Sequence, residues 1–267
     1  MISRRLPVVM IHGAFCGGWS FAHWRAAYEA HGFSVHAPTL RHHDSEQDAP
    51  GSLAGVSIRD YCAELGALLD RLDAPPVIVG HSLGGLVAQM LAARGRVRAL
   101  VLLAPLAPFG IFPSTAFEWM AMQTLYWEGA FWKKIIRPRH SVAAAHALEL
   151  VPEERRAAIL RRLVPESGQA LFEAMHWMLD HRKTTFVDPR SVTCPILCLA
   201  GGRDRIASPA TVRRIARRYG GRARYELLAE HGHWLLGEPG WERIAAGSLA
   251  WLDQILDRDP RRVSGAR

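Results

Sequence analysis

The chain has 267 residues, of which 49% are hydrophobic and 22% are charged. This balance is typical of a soluble globular protein and excludes a disordered, collagen-like or coiled-coil chain. A chain of this length buries roughly 75% of its unfolded surface, so it needs neither a disulfide nor a metal to stabilise a core. No apolar run approaches the roughly 20 residues that span a bilayer, and the N-terminus lacks the apolar segment of a secretory signal. We therefore expect a cytoplasmic protein without a membrane span.

The net charge of +8 comes almost entirely from arginine. Arginine pairs such as Arg217 and Arg218 fall on predicted amphipathic helices, where a solvated face is the simplest explanation. No basic segment with interleaved aromatic residues accompanies them, so we expect no nucleic-acid binding. The cysteines have the spacing of neither a zinc site nor a redox CxxC motif, which predicts reduced and mostly buried thiols. They are Cys16, Cys62, Cys194 and Cys198.

Short apolar runs alternate with helical patterns over residues 1–105. The predicted strands cover residues 7–11, 33–37, 76–80 and 97–104. The predicted helices cover residues 20–31, 57–72 and 83–94. Ser20 is the predicted N-cap of the first helix, and Ser57 with Asp60 gives the second a capping-box pattern. Alternation of this kind predicts parallel βαβ units.

The alternation stops over residues 106–189, where helix-like stretches rich in large apolar side chains replace it and no strand is predicted. It resumes with strands at 196–200 and 223–229 and helices at 210–218 and 241–256. We therefore predict an α/β protein whose mostly parallel, twisted sheet is flanked by helices. Its core comes in two parts, 1–105 and 190–257, separated by the helical insertion 106–189 and followed by a charged tail, 258–267.

A glycine-rich turn, Gly80-His81-Ser82-Leu83-Gly84-Gly85, lies between a predicted strand and a predicted helix. A serine at such a turn has a strained backbone and needs small neighbours, which Gly80 and Gly84 provide. The turn could also be one in which Ser82 merely caps the helix. The G-x-S-x-G spacing between a strand and a helix favours a nucleophile elbow, with Ser82 as the nucleophile.

A serine hydroxyl reacts only with a base in hydrogen-bond reach and a third group that orients the base. Asp204 follows the predicted strand at 196–200, and two histidines, His231 and His233, follow the strand at 223–229. Because the carboxyl ends of parallel strands meet at one edge of a sheet, we expect Ser82, Asp204 and one of these histidines to lie close together.

These motifs, and the order of serine, aspartate and histidine along the chain, resemble those of the α/β-hydrolase family over nearly the whole chain. The resemblance is closest to the family's small six-stranded methylesterases and hydroxynitrile lyases. The family's Gly-His-aromatic pattern, followed by Glu-Pro, is met by Gly232-His233-Trp234 and Glu238-Pro239. The resemblance therefore implies a catalytic triad of Ser82, Asp204 and His233, with His231 as an ordinary loop residue.

The segment His12-Gly13-Ala14 resembles the family's oxyanion loop. The resemblance implies that the backbone N–H groups of Ala14 and Leu83 form the oxyanion hole and that the insertion is the family's cap over the pocket. It implies a serine hydrolase acting on a carboxylic ester of a small, largely apolar acyl substrate, with no cofactor and no metal. Thioester, lactone and carbon–carbon bond hydrolysis remain alternatives, as do a lyase and a small-ligand receptor.

Several other side chains are left with less definite roles. His42 and His43 are adjacent and lack further ligands, which predicts a solvated loop rather than a metal site. His12 and His81 are predicted to support the oxyanion loop and the elbow. Phe15 and Trp19 could line the pocket entrance or the core. The large apolar residues of the insertion could pack the cap or line an acyl or alcohol pocket.

Overall fold

The computed structural model describes residues 6–44 and 51–257. Its strands are β1 Pro7–Ile11, β2 Ser34–His36, β3 Val77–His81, β4 Ala99–Leu103, β5 Ile135–Ile136, β6 Glu166–Ser167, β7 Ile196–Gly201 and β8 Ala223–Leu228. Its α-helices are α1 Ala22–Ala30, α2 Ile58–Asp70, α3 Leu83–Ala92, α4 Ala116–Gln123, α5 His140–Val142, α6 Glu153–Leu160, α7 Gly168–Met175, α8 Pro209–Arg218 and α9 Trp241–Asp257. The short helix α5 continues into a π-helical turn over Ala143–Ala147.

Six of the strands form one parallel sheet in the order β2-β1-β3-β4-β7-β8. Every residue of the central strands β3 and β4 is buried, as expected where both faces of a parallel sheet are covered. The edge strand β8 is only partly buried. The predicted α/β fold, with a mostly parallel sheet flanked by helices, is confirmed.

The two predicted helix starts had different outcomes. Ser57 and Asp60 form the expected capping box at α2, with the Asp60 carboxylate accepting the Ser57 amide at 2.8 Å. Ser20 does not cap a helix, so that prediction is wrong: it lies inside a 3₁₀ turn, and α1 begins only at Ala22. Its hydroxyl donates to the carbonyl of Gly17 at 2.8 Å, a competing local bond of the kind serine often forms.

Residues 106–189, called the cap segment below, contain α4 to α7 and also two strands that the sequence did not predict. β5 and β6 form an antiparallel pair in which Ile135 lies opposite Ser167. Each is two residues long, too short for alternation to be recognised in the sequence. The boundaries of the cap segment stay a prediction, and the predicted tail, 258–267, lies outside the described residues.

Within residues 6–44 and 51–257, no helix is both long enough and apolar enough to cross a bilayer. All four cysteines are buried and free of disulfide bonds, as predicted.

The turn between β3 and α3 is packed so closely that only glycine fits at positions 80 and 84, two residues before and two residues after Ser82. A Cβ atom on Gly84 would overlap the carbonyl oxygen of Ile11, and one on Gly80 would lie 2.5 Å from the carbonyl oxygen of Gly84. Backbone atoms cannot rotate away as a side chain can, so these contacts fix how closely α3 approaches the sheet.

Replacing Gly84 with alanine should therefore lower the free energy of unfolding by about 1–3 kcal/mol or more, because the added methyl group forces the backbone apart. Gly247→Ala is the matched control, since a Cβ atom there meets nothing within 4 Å. In the helix α9 it should stabilise by about 0.5–1 kcal/mol. Urea unfolding of both variants tests this, and equal effects would contradict it.

Candidate active site

The proposed nucleophile lies between β3 and α3, at the carboxyl end of the central strands. Ser82 has φ +52° and ψ −118°, a backbone conformation that is strained for any residue but glycine. Its amide donates to the carbonyl of Leu103 at 3.0 Å, and its carbonyl accepts the amide of Leu106 at 3.0 Å. These bonds to the neighbouring strand end hold the turn, and with it the hydroxyl group, in place.

A histidine from the loop after β8 lies directly against this hydroxyl. The Nε2 atom of His233 is 3.1 Å from the Ser82 Oγ, and its Nδ1 atom is 2.8 Å from the Asp204 Oδ2. Because an ionised carboxylate only accepts hydrogen bonds, Nδ1 carries the ring proton. The lone pair of Nε2 therefore faces the Ser82 hydroxyl, as a general base requires.

The acid comes from the loop after β7 and is held by backbone amides. The Asp204 Oδ1 accepts the amides of Ile206 and Ala207 at 2.8 and 3.0 Å. This leaves Oδ2 for the imidazole. The structure thus brings together Ser82, Asp204 and His233, the three residues singled out from the sequence, in one hydrogen-bonded chain.

Glu238 fixes the loop that carries this histidine. Its two carboxylate oxygens accept the amides of Gly232 and Trp234, the residues on either side of His233, at 2.8 and 2.9 Å. Burial raises the pKa of Glu238, although both amides oppose this. His231 lies 3.3 Å from the same carboxylate rather than beside Ser82. Of the two candidate histidines, only His233 is therefore placed against the serine.

The two predicted oxyanion donors come from residues close to the nucleophile. Leu83 is the first residue of α3, so its amide has no acceptor within the helix. Ala14 lines the same cavity as Ser82. A Cβ atom on the preceding Gly13 would lie 3.1 Å from the Cβ atom of Ser82, which shows how closely this loop passes the serine. Their role as an oxyanion hole stays a prediction.

A cavity of about 320 Å³ opens over the serine and is lined mainly by apolar side chains. Phe15 lines it, whereas Trp19 packs against Trp234 with ring centroids 6.4 Å apart. Some large apolar residues of the cap segment line the cavity or pack against one another, whereas Trp119, Met120, Trp127 and Met178 are exposed. The following line the cavity: Phe117, Met122, Met175 and Trp177. The following pack against one another within the cap segment: Tyr126, Phe131, Trp132 and Phe172.

The prediction of a solvated loop at His42 and His43 is wrong for His43, whose side chain is fully buried. Its Nε2 lies 3.2 Å from a carboxylate oxygen of Glu166, and its Nδ1 lies 2.8 Å from the carbonyl oxygen of Arg41. Both partners are acceptors, so both ring nitrogens carry protons and the ring is cationic. Tyr61 donates to the other oxygen of Glu166 at 2.7 Å. His43 and Tyr61 therefore hold the strand β6 of the cap segment against the core.

The electrostatics of this pair follow from the geometry. Burial by itself lowers the pKa of His43, but the Glu166 charge and the hydrogen bonds outweigh it, and the pKa is raised. Burial by itself raises the pKa of Glu166, but His43 and the Tyr61 hydroxyl outweigh it, and the pKa is lowered. The sequence gives little signal of this pair, since 123 residues separate the two side chains.

Two further histidines, His12 and His81, lie beside the predicted oxyanion loop and the elbow. Both rings are neutral. Burial lowers the pKa of His12 to about 4, and its ring bridges the Gly13 carbonyl and the Leu40 amide. Burial, with His233 nearby, lowers the pKa of His81 to about 3. Its Nε2 donates to the carbonyl oxygen of His233 at 2.9 Å. Among the described residues, no group of three or more His, Cys, Asp or Glu side chains could hold a metal ion.

Comparison with known proteins identifies the family of the chain. The profile of the alpha/beta hydrolase family matches residues 8–246. The chain therefore belongs to the alpha/beta hydrolase family, which confirms the resemblance inferred from the sequence.

Individual relatives match over different lengths. A pyrethroid hydrolase from Sphingobium wenxiniae is 33% identical over 111 residues, which are 40% of this chain and 39% of that protein. A methylesterase from Arabidopsis is 17% identical, with a TM-score of 0.71, over 93% of this chain and 99% of its own. A monoacylglycerol lipase from Paleococcus ferrophilus is 21% identical, with a TM-score of 0.66, over 93% of this chain and 94% of its own. At these identities the two solved structures establish the fold alone.

Replacing His43 with glutamine should make stability depend less on pH. The raised pKa of His43 and the lowered pKa of Glu166 mean that the pair stabilises the wild type most between about pH 4.5 and pH 6.5. This contribution is lost as the pH rises through the folded-state pKa of His43 and as it falls through that of Glu166. We expect the variant to be less stable by about 3–5 kcal/mol between these pH values, with the difference shrinking at alkaline pH. Urea unfolding over a pH series measures it, with the exposed His140→Gln as control; a difference that does not change with pH would contradict it.

Proposed function

We propose that this protein is a serine hydrolase that cleaves a carboxylic ester through an acyl-enzyme formed on Ser82. The observation that carries the proposal is the continuous chain from the Ser82 Oγ to the His233 Nε2 at 3.1 Å and from its Nδ1 to Asp204 at 2.8 Å. The names of similar proteins, which include a methylesterase and a monoacylglycerol lipase, favour an ester over other acyl compounds.

In this mechanism, His233 removes the hydroxyl proton while the Ser82 Oγ attacks the ester carbonyl carbon. Asp204 holds the imidazole in position and stabilises the cation that forms. The amides of Leu83 and Ala14 bind the developing oxyanion, each contributing about 3–4 kcal/mol by analogy with other oxyanion donors. His233 then gives its proton to the departing alcohol. A water molecule, deprotonated by His233, attacks the acyl-enzyme, and the acid is released with Ser82 regenerated.

The cavity favours a substrate with a compact, mainly apolar acyl or alcohol part. Its volume of about 320 Å³ is at the lower end of the range for small-molecule sites. Phe15 and Ile206 line it from the core, and Phe117, Met122 and Trp177 line it from the cap segment. An extended fatty acyl chain would have to leave this volume, so we propose short to medium chains.

Ser82→Ala should lower kcat by at least about 10⁴-fold without unfolding the protein, because no other group can form the acyl-enzyme. Hydrolysis of p-nitrophenyl esters from acetyl to palmitoyl measures this, with thioester and lactone substrates in parallel and the exposed Ser191→Ala as control. We expect ester turnover with an optimum at short to medium chains. Turnover that persists in Ser82→Ala would contradict the mechanism, and turnover of thioesters or lactones alone would contradict the choice of an ester.

Glu238→Gln should lower kcat by about 10- to 100-fold with little change in KM. The amide group of glutamine would point a donor at either the Gly232 or the Trp234 amide, and the resulting shift of His233 misaligns the base. Steady-state kinetics on the best ester test this, with Glu242→Gln, an exposed position in the first turn of α9, as the matched control. Wild-type kcat in Glu238→Gln would show that these two hydrogen bonds do not position His233.

A further inference from the structure

Most polar side chains that line the cavity already have hydrogen-bond partners within the protein. Glu118 accepts the Ser208 amide at 2.9 Å and the Thr211 hydroxyl at 3.1 Å. Thr124 donates to the carbonyl oxygen of Ala121 at 2.8 Å. These groups therefore present little unused hydrogen-bonding capacity to a ligand.

Two histidines that line the cavity differ from them in having an unpartnered Nδ1 atom: His81 and His146. The Nδ1 atom of His81 packs against the loop after β1, where a Cβ atom on Gly13 would lie 3.0 Å from it. The candidate for a ligand contact is therefore His146 of the cap segment. Its side chain lines the cavity, and its Nδ1 atom is buried without a hydrogen-bond partner in residues 6–44 and 51–257. A buried ring nitrogen without a hydrogen-bond partner lowers stability, so each such group calls for something that satisfies it. A ligand in the cavity is the group that could supply the missing bond.

The backbone at this histidine is unusual as well. His146 lies in the π-helical turn Ala143–Ala147, which is closed by a hydrogen bond from the Leu148 amide to the Ala143 carbonyl at 2.9 Å. Single π-helical turns cost stability and occur frequently at functional sites, where they redirect a side chain.

The imidazole ring is also supported from one side. Its centroid lies 4.8 Å from that of Phe117, and the guanidinium of Arg205 lies 5.4 Å from the Phe117 centroid. Arg205 directly follows Asp204 in the loop after β7. The ring of His146 thus contacts Phe117, and Phe117 in turn contacts Arg205 in the loop that carries Asp204.

The other buried histidine of the cap segment does not compete for this role. His176 is enclosed by aromatic rings, with centroids of Tyr126 and Phe131 at 5.0 and 5.3 Å. Its ring nitrogens are also buried without a partner among the described residues, but it does not line the cavity, so a ligand bound there could not reach them.

We propose that His146 is a substrate-binding residue that hydrogen-bonds an oxygen or nitrogen atom on the part of the ester beneath the cap segment. The inference rests on the proposed function and narrows its substrate class. The substrate is an ester whose acyl or alcohol part carries a hydroxyl, ether or carbonyl group, rather than a plain hydrocarbon chain. Because Nδ1 donates in one neutral tautomer and accepts in the other, a hydroxyl group can pair with either.

The test uses pairs of p-nitrophenyl esters, one of an ω-hydroxy acid and one of the straight-chain acid in which a methyl group replaces that hydroxyl. For each pair, the ratio of kcat/KM for the hydroxy ester to kcat/KM for the alkyl ester is compared between the wild type and His146→Phe. At the chain length at which the hydroxyl reaches His146, we expect this ratio to fall by about tenfold in the variant, the size of one lost hydrogen bond. His146→Gln, which keeps a donor and an acceptor, should restore part of the ratio. The exposed His140→Phe should leave the ratio at its wild-type value.

A purely structural role would change kcat/KM for both members of a pair alike, so an unchanged ratio at every chain length would overturn the inference. Ser82-dependent turnover of the alkyl esters would show in that case that the proposed function still stands. If the folded wild type hydrolyses neither series, the proposed function fails, and the inference fails with it. If His146→Phe does not fold, His146→Leu, which also removes the donor and the acceptor, replaces it in the same comparison, and an unchanged ratio at every chain length would again overturn the inference.

Discussion

The left-handed backbone of Ser82 is the constraint on which the site depends. A non-glycine residue with φ +52° needs strong support from its surroundings. Gly80 and Gly84, two residues before and after it, let α3 approach the sheet until Ser82 bonds to the end of β4. The same turn places the hydroxyl at the carboxyl edge of the sheet and leaves the Leu83 amide without an acceptor in the helix. The loops after β7 and β8 begin at this edge, which brings Asp204 and His233 to the serine.

The position of the cap segment depends on a different interaction, namely buried carboxylates that accept hydrogen bonds from the core. Glu118 bonds to the start of α8, and Glu173 accepts the Ile58 amide at the start of α2 at 2.8 Å. A helix N-terminus favours a negative charge, so both contacts are well placed. Glu166 completes the set through Tyr61 and the cationic His43. Because α8 also follows the loop that carries Asp204, neighbouring parts of the core hold both Asp204 and the cap segment over the cavity.

The residues that could be predicted from the sequence were those with local signals at strand ends. Ser82 and Asp204 follow the buried apolar strands β3 and β7, and His233 follows the partly buried edge strand β8. Because these strands are parallel, their carboxyl ends bring the three side chains to one edge of the sheet. The prediction of a solvated loop is wrong for His43 because its partner Glu166 lies far away in the chain, and no spacing rule connects the two residues. The strands β5 and β6 are too short to show a period. His146 had no signal at all, since its character comes from a cavity that forms only when the cap segment folds over the core.

The central claim is that Ser82 is a nucleophile activated by His233, and covalent labelling tests it most directly. A fluorophosphonate probe reacts with a serine only when a base activates it and an oxyanion site accepts the phosphonyl oxygen. Mass spectrometry of the digested protein should show one probe per chain, on the peptide that contains Ser82. The labelling rate should fall by at least about 100-fold in His233→Gln. A folded wild type that stays unlabelled, carries the probe elsewhere, or reacts equally fast without His233 would contradict the account.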